Sequence, residues 1–237
     1  MTTLPWLDPD ELYFPPTDTA LQEPNGLLAA GADLSPQRLL HAYQLGIFPW
    51  YEPGEPILWW SPSPRAVLFP EHIHISKSLN KRLKRQEFRV TCDSHFIAVI
   101  QACADTPRKD QPGTWISDDI IAAYTTLHQQ GHAHSVEVWL GERLVGGLYG
   151  INIGQIFFGE SMFSHSSDAS KVAFVALAQN LARWGYPLID CQVANPHLST
   201  LGTEEIVRSR FTDYLQQYSV QAGIGDWQAH WQGPHHV

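Results

Sequence analysis

The feature that most restricts the fold is a run of elements between Ser135 and Val193. Two turn signals, Gly141-Glu142 and Asn152–Gly154, separate three apolar segments that we expect to be β-strands. A helical segment from Ala169 to Trp184 follows, and the apolar run Pro187–Val193 predicts a further strand. This order of strands and helix favours an α+β or mixed-sheet architecture and excludes a doubly wound dinucleotide-binding fold.

A region rich in proline and tryptophan precedes this run. Because proline fixes φ and removes a backbone donor, residues 49–64 predict short strands and turns rather than a regular sheet. Ser35 as N-cap predicts a helix from Pro36 to Leu45. Residues 71–90 carry six basic and two acidic side chains in a chain of net charge −9, and Ser76 predicts the start of a basic helix. We therefore expect a small N-terminal mixed domain at 1–70, a basic helix and connection at 71–93, and a larger domain at 94–237.

Composition excludes several classes of protein. No apolar run approaches about 18 residues, so no membrane span is expected, and the acidic, proline-containing start is unlike a secretory signal. Three widely spaced cysteines argue against a disulfide framework and favour a reducing compartment. The histidines form neither an HExxH pattern nor a Cys/His quartet, so we expect no metal and no other cofactor. We expect a cytoplasmic monomer.

Two segments carry the candidate chemistry. In the strand Pro187–Val193, period two places Asp190 and Gln192 on one face of an otherwise apolar strand. A buried carboxylate is costly unless it is paired or used. Glu160 ends an earlier apolar strand, just before a polar loop and the long helix. These residues predict either a reaction centre or a structural polar network, and the pattern alone leaves both open.

The order of elements from Ser135 to Trp184 is typical of a GNAT-like acyltransferase core. Such enzymes bind the CoA pyrophosphate with a glycine-containing loop before the long helix, whereas residues 162–171 contain no glycine. An acyl donor other than CoA, together with a basic helix, indicates aminoacyl-tRNA. Two alternatives remain. One is another GNAT-like enzyme that uses CoA or transfers an aminoacyl group to a cell-wall peptide, and the other is a noncatalytic RNA-binding module.

Several longer motifs resemble those of the leucyl/phenylalanyl-tRNA–protein transferase family. They are EPNGLLAAGADLS at 23–35, Tyr43 followed by GIFPW at 46–50, LWWSP at 58–62, GTWI at 113–116, GHAHSVE at 131–137, GESMFS at 159–164 and LIDCQV at 188–193. The resemblance covers about residues 21–215. Phe158 stands where the family pattern has a smaller residue, so it is a candidate to alter the pocket wall.

The resemblance implies an enzyme that transfers Leu or Phe, and less readily Met, from aminoacyl-tRNA to the N-terminal Arg or Lys of acceptor proteins. Their modification would mark them for N-degron degradation. By similarity, Asp190 and Gln192 would form the catalytic pair. Asp190 would orient or polarise groups at the reaction centre, Gln192 would contact the attacking amine, and Glu160 would position the substrate. The resemblance also implies residues around the aminoacyl-adenosine (Tyr43, Trp50, Trp115, Tyr124), a side-chain pocket (Leu148, Phe157, Leu177, Ile189) and contacts to the tRNA backbone (Lys77, Lys81, Arg82, Lys84, Arg85).

Overall fold

The computed structural model describes residues 4–106 and 114–236. The strands are β1 Trp6–Leu7, β2 Leu27–Gly31, β3 Phe48–Pro49, β4 Leu58–Trp60, β5 Arg65–Leu68, β6 Arg89–Cys92, β7 Ala133–Leu140, β8 Arg143–Ile153, β9 Ile156–Ser164, β10 Leu188–Gln192 and β11 Glu204–Ile206. The helices are α1 Pro36–Gln44, α2 Lys77–Lys84, α3 Phe96–Asp105, α4 Asp118–Gln129, α5 Ala169–Arg183, α6 Pro196–Ser199, α7 Arg208–Tyr218 and α8 Trp227–His230. Two short 3-10 helices lie at Thr17–Thr19 and Pro70–His72.

The strands form a small and a large sheet. The small sheet has the order β1-β2-β4-β3, and its strands are as short as the Pro-rich sequence predicts. The large sheet has the order β11-β5-β10-β9-β8-β7-β6, and its neighbours are antiparallel except for the parallel pair β9 and β10. Helix α5 connects that parallel pair. The expected α+β class is confirmed, and the run β7-β8-β9-α5-β10 follows the order expected of a GNAT-like core.

The division between the sheets does not follow the expected boundary at residue 70. Strand β5 lies before residue 70, yet it pairs with β10 and β11 in the large sheet. The sheets therefore divide between Trp60 and Arg65. Trp59 of the small sheet also shares a hydrophobic core with Phe96 and Tyr149. A local change in composition marked the position only approximately, because strand membership depends on distant partners.

Helix starts follow the local signals in the sequence. The hydroxyls of Ser35, Ser76 and Ser117 accept hydrogen bonds from backbone amides at the starts of α1, α2 and α4. Helix α2 buries Leu79 and Leu83 and packs against α5, which leaves its lysines facing outward. No helix within residues 4–106 and 114–236 is long and apolar enough to cross a membrane.

Candidate active site

A cavity forms at the point where β9 and β10 stop pairing. Their parallel pairing spans three residue pairs and ends with Phe158 opposite Asp190. Residues beyond that point on both strands line a cavity of about 660 Å³, among them Glu160 on β9 and Gln192 on β10. The end of strand pairing therefore brings together two of the three residues expected at the reaction centre.

Glu160 is bound by two buried tyrosines. Tyr43 Oη donates to Glu160 Oε1 at 2.7 Å, and Tyr124 Oη donates to Oε2 at 3.2 Å. The two phenol oxygens lie 2.5 Å apart. Burial raises the pKa of Glu160 to about 7 and outweighs the hydrogen bonds from the tyrosines, which lower it. Burial and the nearby Glu160 raise the pKa values of both tyrosines well above their ordinary value, so both remain donors at neutral pH.

Gln192 lies at a break in β10. A bulge between Asp190 and Gln192 interrupts the pairing with β5, and Gln192 has φ of +57°. The side-chain amide of Gln192 donates to Glu160 Oε1 at 3.3 Å. Its backbone amide donates to Asp190 Oδ1 at 3.0 Å. Hydrogen bonds thus connect Asp190 to Gln192 and Gln192 to Glu160, although among the three only Gln192 and Glu160 line the cavity.

Asp190 forms a fully buried ion pair with Arg65. Arg65 Nε lies 2.8 Å from Asp190 Oδ1, and Nη2 lies 2.6 Å from Oδ2. Asp190 has no solvent-exposed surface and is absent from the described residues that line the cavity. Both interpretations of Asp190 therefore keep support. Its carboxylate binds Arg65, as in a structural polar network, and it also binds the backbone of Gln192, which lines the cavity.

The apolar part of the cavity differs in one residue from the expected side-chain pocket. Leu148, Phe157 and Leu177 line the cavity as predicted. Ile189 is fully buried in the core and is not among the described lining residues. Cys191 and Phe174 contribute to the wall. Ile189, which the family resemblance implied, lies in the part of β10 that pairs with β9, whereas Cys191 lies beyond the last such pair, where the cavity begins.

Phe158 does not alter the pocket wall. Its side chain is fully buried and lies 5.2 Å from the Tyr43 ring in an edge contact. It is absent from the described residues that line the cavity. Phe158 therefore packs the core behind the Glu160 cluster.

The four residues expected around an aminoacyl-adenosine fall into two groups. Trp50 and Trp115 line the cavity, with 38% and 6% of their surface exposed. Tyr43 and Tyr124 are fully buried and absent from the described lining residues. The tyrosines bind Glu160 and have no face open for stacking, so in this structure they border the cavity through Glu160, and their place around an aminoacyl-adenosine stays a prediction.

The basic helix presents most of its charge to solvent. Lys77, Lys81 and Lys84 are exposed, as is Arg85 at the helix end. Arg82 is only partly exposed: it forms an ion pair with Glu87 at 2.6 Å and lies 4.6 Å from the centre of the Phe88 ring. Four of the five residues expected to contact the tRNA backbone are thus accessible, and Arg82 already has protein partners.

Sequence profiles identify the family. The profile described as "Leucyl/phenylalanyl-tRNA protein transferase" matches residues 67–216, and the profile of that family's N-terminal domain matches residues 32–63. The chain belongs to the leucyl/phenylalanyl-tRNA protein transferase family. The expectation of an aminoacyltransferase of this family is confirmed.

Curated relatives agree with this assignment over nearly the whole chain. A leucyl/phenylalanyl-tRNA–protein transferase from Ectopseudomonas mendocina (strain ymp) is 56% identical over 226 residues, which cover 95% of this chain and 100% of the relative. The protein of the same name from Nitrosomonas europaea is 59% identical over 210 residues, covering 89% of each chain.

Similarity to solved structures is more distant. L-PGS from Bacillus licheniformis has a TM-score of 0.39 and 13% identity, covering 76% of this chain and 57% of that one. A GCN5-related N-acetyltransferase from Kribbella flavida has a TM-score of 0.37 and 12% identity, covering 70% and 59%.

Two residues of the site, Arg65 and Cys191, were not predicted from the sequence of this member of the transferase family. Arg65 begins the short buried strand β5, so it is a charged residue within an apolar run, as Asp190 is. Two such residues of opposite charge on separate buried strands predict an ion pair, because neither is stable unpaired in a core. Cys191 had no comparable signal, since it reaches the cavity only because the pairing of β9 and β10 ends before it.

Proposed function

We propose that this protein transfers Leu or Phe, and less readily Met, from aminoacyl-tRNA to the N-terminal Arg or Lys of an acceptor protein. The observation that carries the proposal is the composition of one cavity. Its lining combines Leu148, Phe157 and Leu177, which belong to one hydrophobic cluster, with Glu160 and Gln192 and with Trp50 and Trp115. These apolar, polar and aromatic surfaces suit an amino-acid side chain, its ester and a nucleoside.

The reaction that we propose is aminolysis of an ester, which needs little activation of the acyl group. The enzyme must place a neutral amine against the ester carbonyl and stabilise the charge that develops on its oxygen. Gln192 and Glu160 are two polar groups placed to do so, because both line the cavity and contact each other. We assign Asp190 an indirect role through the backbone of Gln192, since its carboxylate is buried.

The apolar part of the cavity accounts for a limited range of amino acids. Its walls are aliphatic and aromatic, so they suit the side chains of Leu and Phe. Apolar pockets distinguish similar apolar side chains by only about 1–3 kcal/mol. Met should therefore be accepted with lower efficiency rather than rejected.

Replacing Gln192 by alanine should lower kcat for transfer from Leu-tRNA by about 10- to 100-fold, because one contact to the reacting groups is lost. The measurement is transfer of radiolabelled Leu to a peptide that begins with Arg. A peptide that begins with Ala and a reaction with acetyl-CoA serve as substrate controls. Gln129→Ala, an exposed glutamine at the end of α4, is the matched protein control and should keep wild-type activity.

Three results would contradict this assignment. Absence of transfer by the wild-type protein would refute the proposed function. Acyl transfer from acetyl-CoA would favour a different GNAT-like activity. An unchanged kcat in folded Gln192→Ala protein would leave the function in place and remove Gln192 from the reaction centre.

Helix α2 is proposed to bind the tRNA backbone through its exposed lysines. The double substitution Lys81→Glu and Lys84→Glu should raise KM for Leu-tRNA by about tenfold and make its dependence on salt concentration less steep, because contacts to phosphates are lost. The measurement is KM for Leu-tRNA between low and physiological salt.

Leucyl-adenosine provides the control, since it lacks the tRNA body and should be used equally well by both proteins. Arg143→Glu, at the exposed turn between β7 and β8, makes one such charge reversal outside the helix. If the helix variant had the same salt dependence as the wild type, or if Arg143→Glu had the same effect, the proposed contact would be wrong.

A further inference from the structure

Arg65 is fixed on three sides within the core. It is fully buried on β5, and its guanidinium binds both carboxylate oxygens of Asp190. The guanidinium carbon lies 5.0 Å from the centre of the Phe48 ring and 4.6 Å from that of Phe211. Two aromatic rings and a paired carboxylate leave the guanidinium one orientation.

Stability alone is a weak explanation for this pair. Buried ion pairs often contribute no more than well-packed apolar residues would, because both ions lose their hydration. Here Nη1 of Arg65 is also buried without a hydrogen-bond partner among the described residues. What the pair does provide is a fixed position for the Asp190 carboxylate.

The fixed carboxylate in turn determines the backbone at the cavity. Asp190 Oδ1 accepts the backbone amide of Gln192 at 3.0 Å, directly at the bulge. Gln192 has φ of +57°, a conformation that is unfavourable for a residue with a Cβ unless its surroundings stabilise it. In this conformation the Gln192 side chain lines the cavity and contacts Glu160.

We propose that Arg65 is a positioning residue for the transfer reaction, acting through Asp190 on the backbone conformation of Gln192. The expected change in kcat rests on the proposed function, whereas the expected change in the Gln192 backbone rests on geometry alone. Arg65 is absent from the described lining residues, so it acts without touching substrate. Arg65 fixes the Asp190 carboxylate, and that carboxylate in turn fixes the backbone of Gln192.

Arg65→Lys tests the proposal while keeping the positive charge. Lysine lacks the planar fork that binds both carboxylate oxygens, so Asp190 should lose its fixed orientation. We expect kcat to fall by about 10- to 100-fold. KM for Phe-tRNA should stay within about twofold, because Trp50, Trp115 and helix α2 are unchanged.

The matched control is Arg38→Lys. Arg38 is also fully buried, forms an ion pair with Asp33 and binds the carbonyl oxygens of Asp8 and Pro9, but it is absent from the described cavity lining. This variant should lose stability and keep wild-type kcat when assayed below its melting temperature. A loss of kcat in Arg65→Lys alone would separate positioning from general destabilisation.

A double-mutant cycle with Asp190→Asn identifies the route of the effect. If Arg65 acts through Asp190, the double variant should have the same kcat as Asp190→Asn alone, within about twofold. Fully additive losses in kcat would overturn the proposal, as would an unchanged kcat in folded Arg65→Lys protein.

Hydrogen exchange distinguishes failure of this proposal from failure of the proposed function. In Arg65→Lys, the peptide covering residues 188–193 should exchange at least about tenfold faster than in the wild type, whereas Arg38→Lys should leave it unchanged. This measurement needs no substrate. Absence of transfer by the wild type would refute the function alone, and unchanged exchange in Arg65→Lys would refute the positioning of Gln192.

Discussion

Replacing Glu137 by alanine is expected to lower the free energy of unfolding by about 3–5 kcal/mol, because a fully buried acceptor of five hydrogen bonds is lost and the buried Ser135 hydroxyl is among the donors left without it. Glu137 is fully buried on β7. Its carboxylate accepts hydrogen bonds from the hydroxyls of Thr91, Ser94 and Ser135 at 2.5, 2.7 and 2.5 Å, and from the backbone amides of Ser94 and His95 at 3.4 Å. One side chain thus joins β7 to the end of β6 and the start of α3.

Chemical denaturation measures this effect, with Glu142→Ala as the matched control. Glu142 lies exposed in the turn that follows β7, so its removal should change stability by no more than about 0.5 kcal/mol. Glu137 is absent from the described residues that line the cavity, so kcat of the folded variant should stay close to the wild-type value. A loss of stability below about 1 kcal/mol would show that water replaces the missing acceptor.

Glu160 is expected to make the protein less stable as the pH rises from about 5 to 8. Burial raises the pKa of this carboxyl to about 7 in the folded state from an ordinary value of 4.5. Between these values the folded state binds a proton that the unfolded state has released. Stability from this group is therefore complete below pH 4.5, declines as the pH rises towards 7, and is absent above it.

The shift of the Glu160 pKa corresponds to a change of up to about 3 kcal/mol. The nearby Asp190 carboxylate also raises the pKa of Glu160, in the same direction as burial.

The measurement for Glu160 compares unfolding free energies of wild type and Glu160→Gln from pH 5 to pH 8. Their difference should fall by about 2–3 kcal/mol over this range, since the variant lacks the titrating group. Glu142→Gln, exposed to solvent, should show no such change relative to the wild type. A constant difference between wild type and Glu160→Gln would mean that the Glu160 carboxyl titrates near its ordinary pKa.

The sequence by itself determined the local structure and the family. Serine side chains at positions 35 and 76 predicted helix starts correctly, because capping depends on groups only two or three residues apart. Turn signals between apolar segments likewise located the three strands before α5. The motifs that contain Glu160, Asp190 and Gln192 indicated the family that the profile later matched.

Only the tertiary structure decided how the candidate site residues are used. Asp190 pairs with Arg65, which is 125 residues away in sequence, because β5 lies beside β10 in the large sheet. Tyr43 and Tyr124 bind Glu160 rather than line the cavity, and Cys191 rather than Ile189 forms its wall. These outcomes depend on strand order and on the point at which β9 and β10 stop pairing. They are set by the packing of distant segments, whereas caps and periodicities report interactions between neighbours.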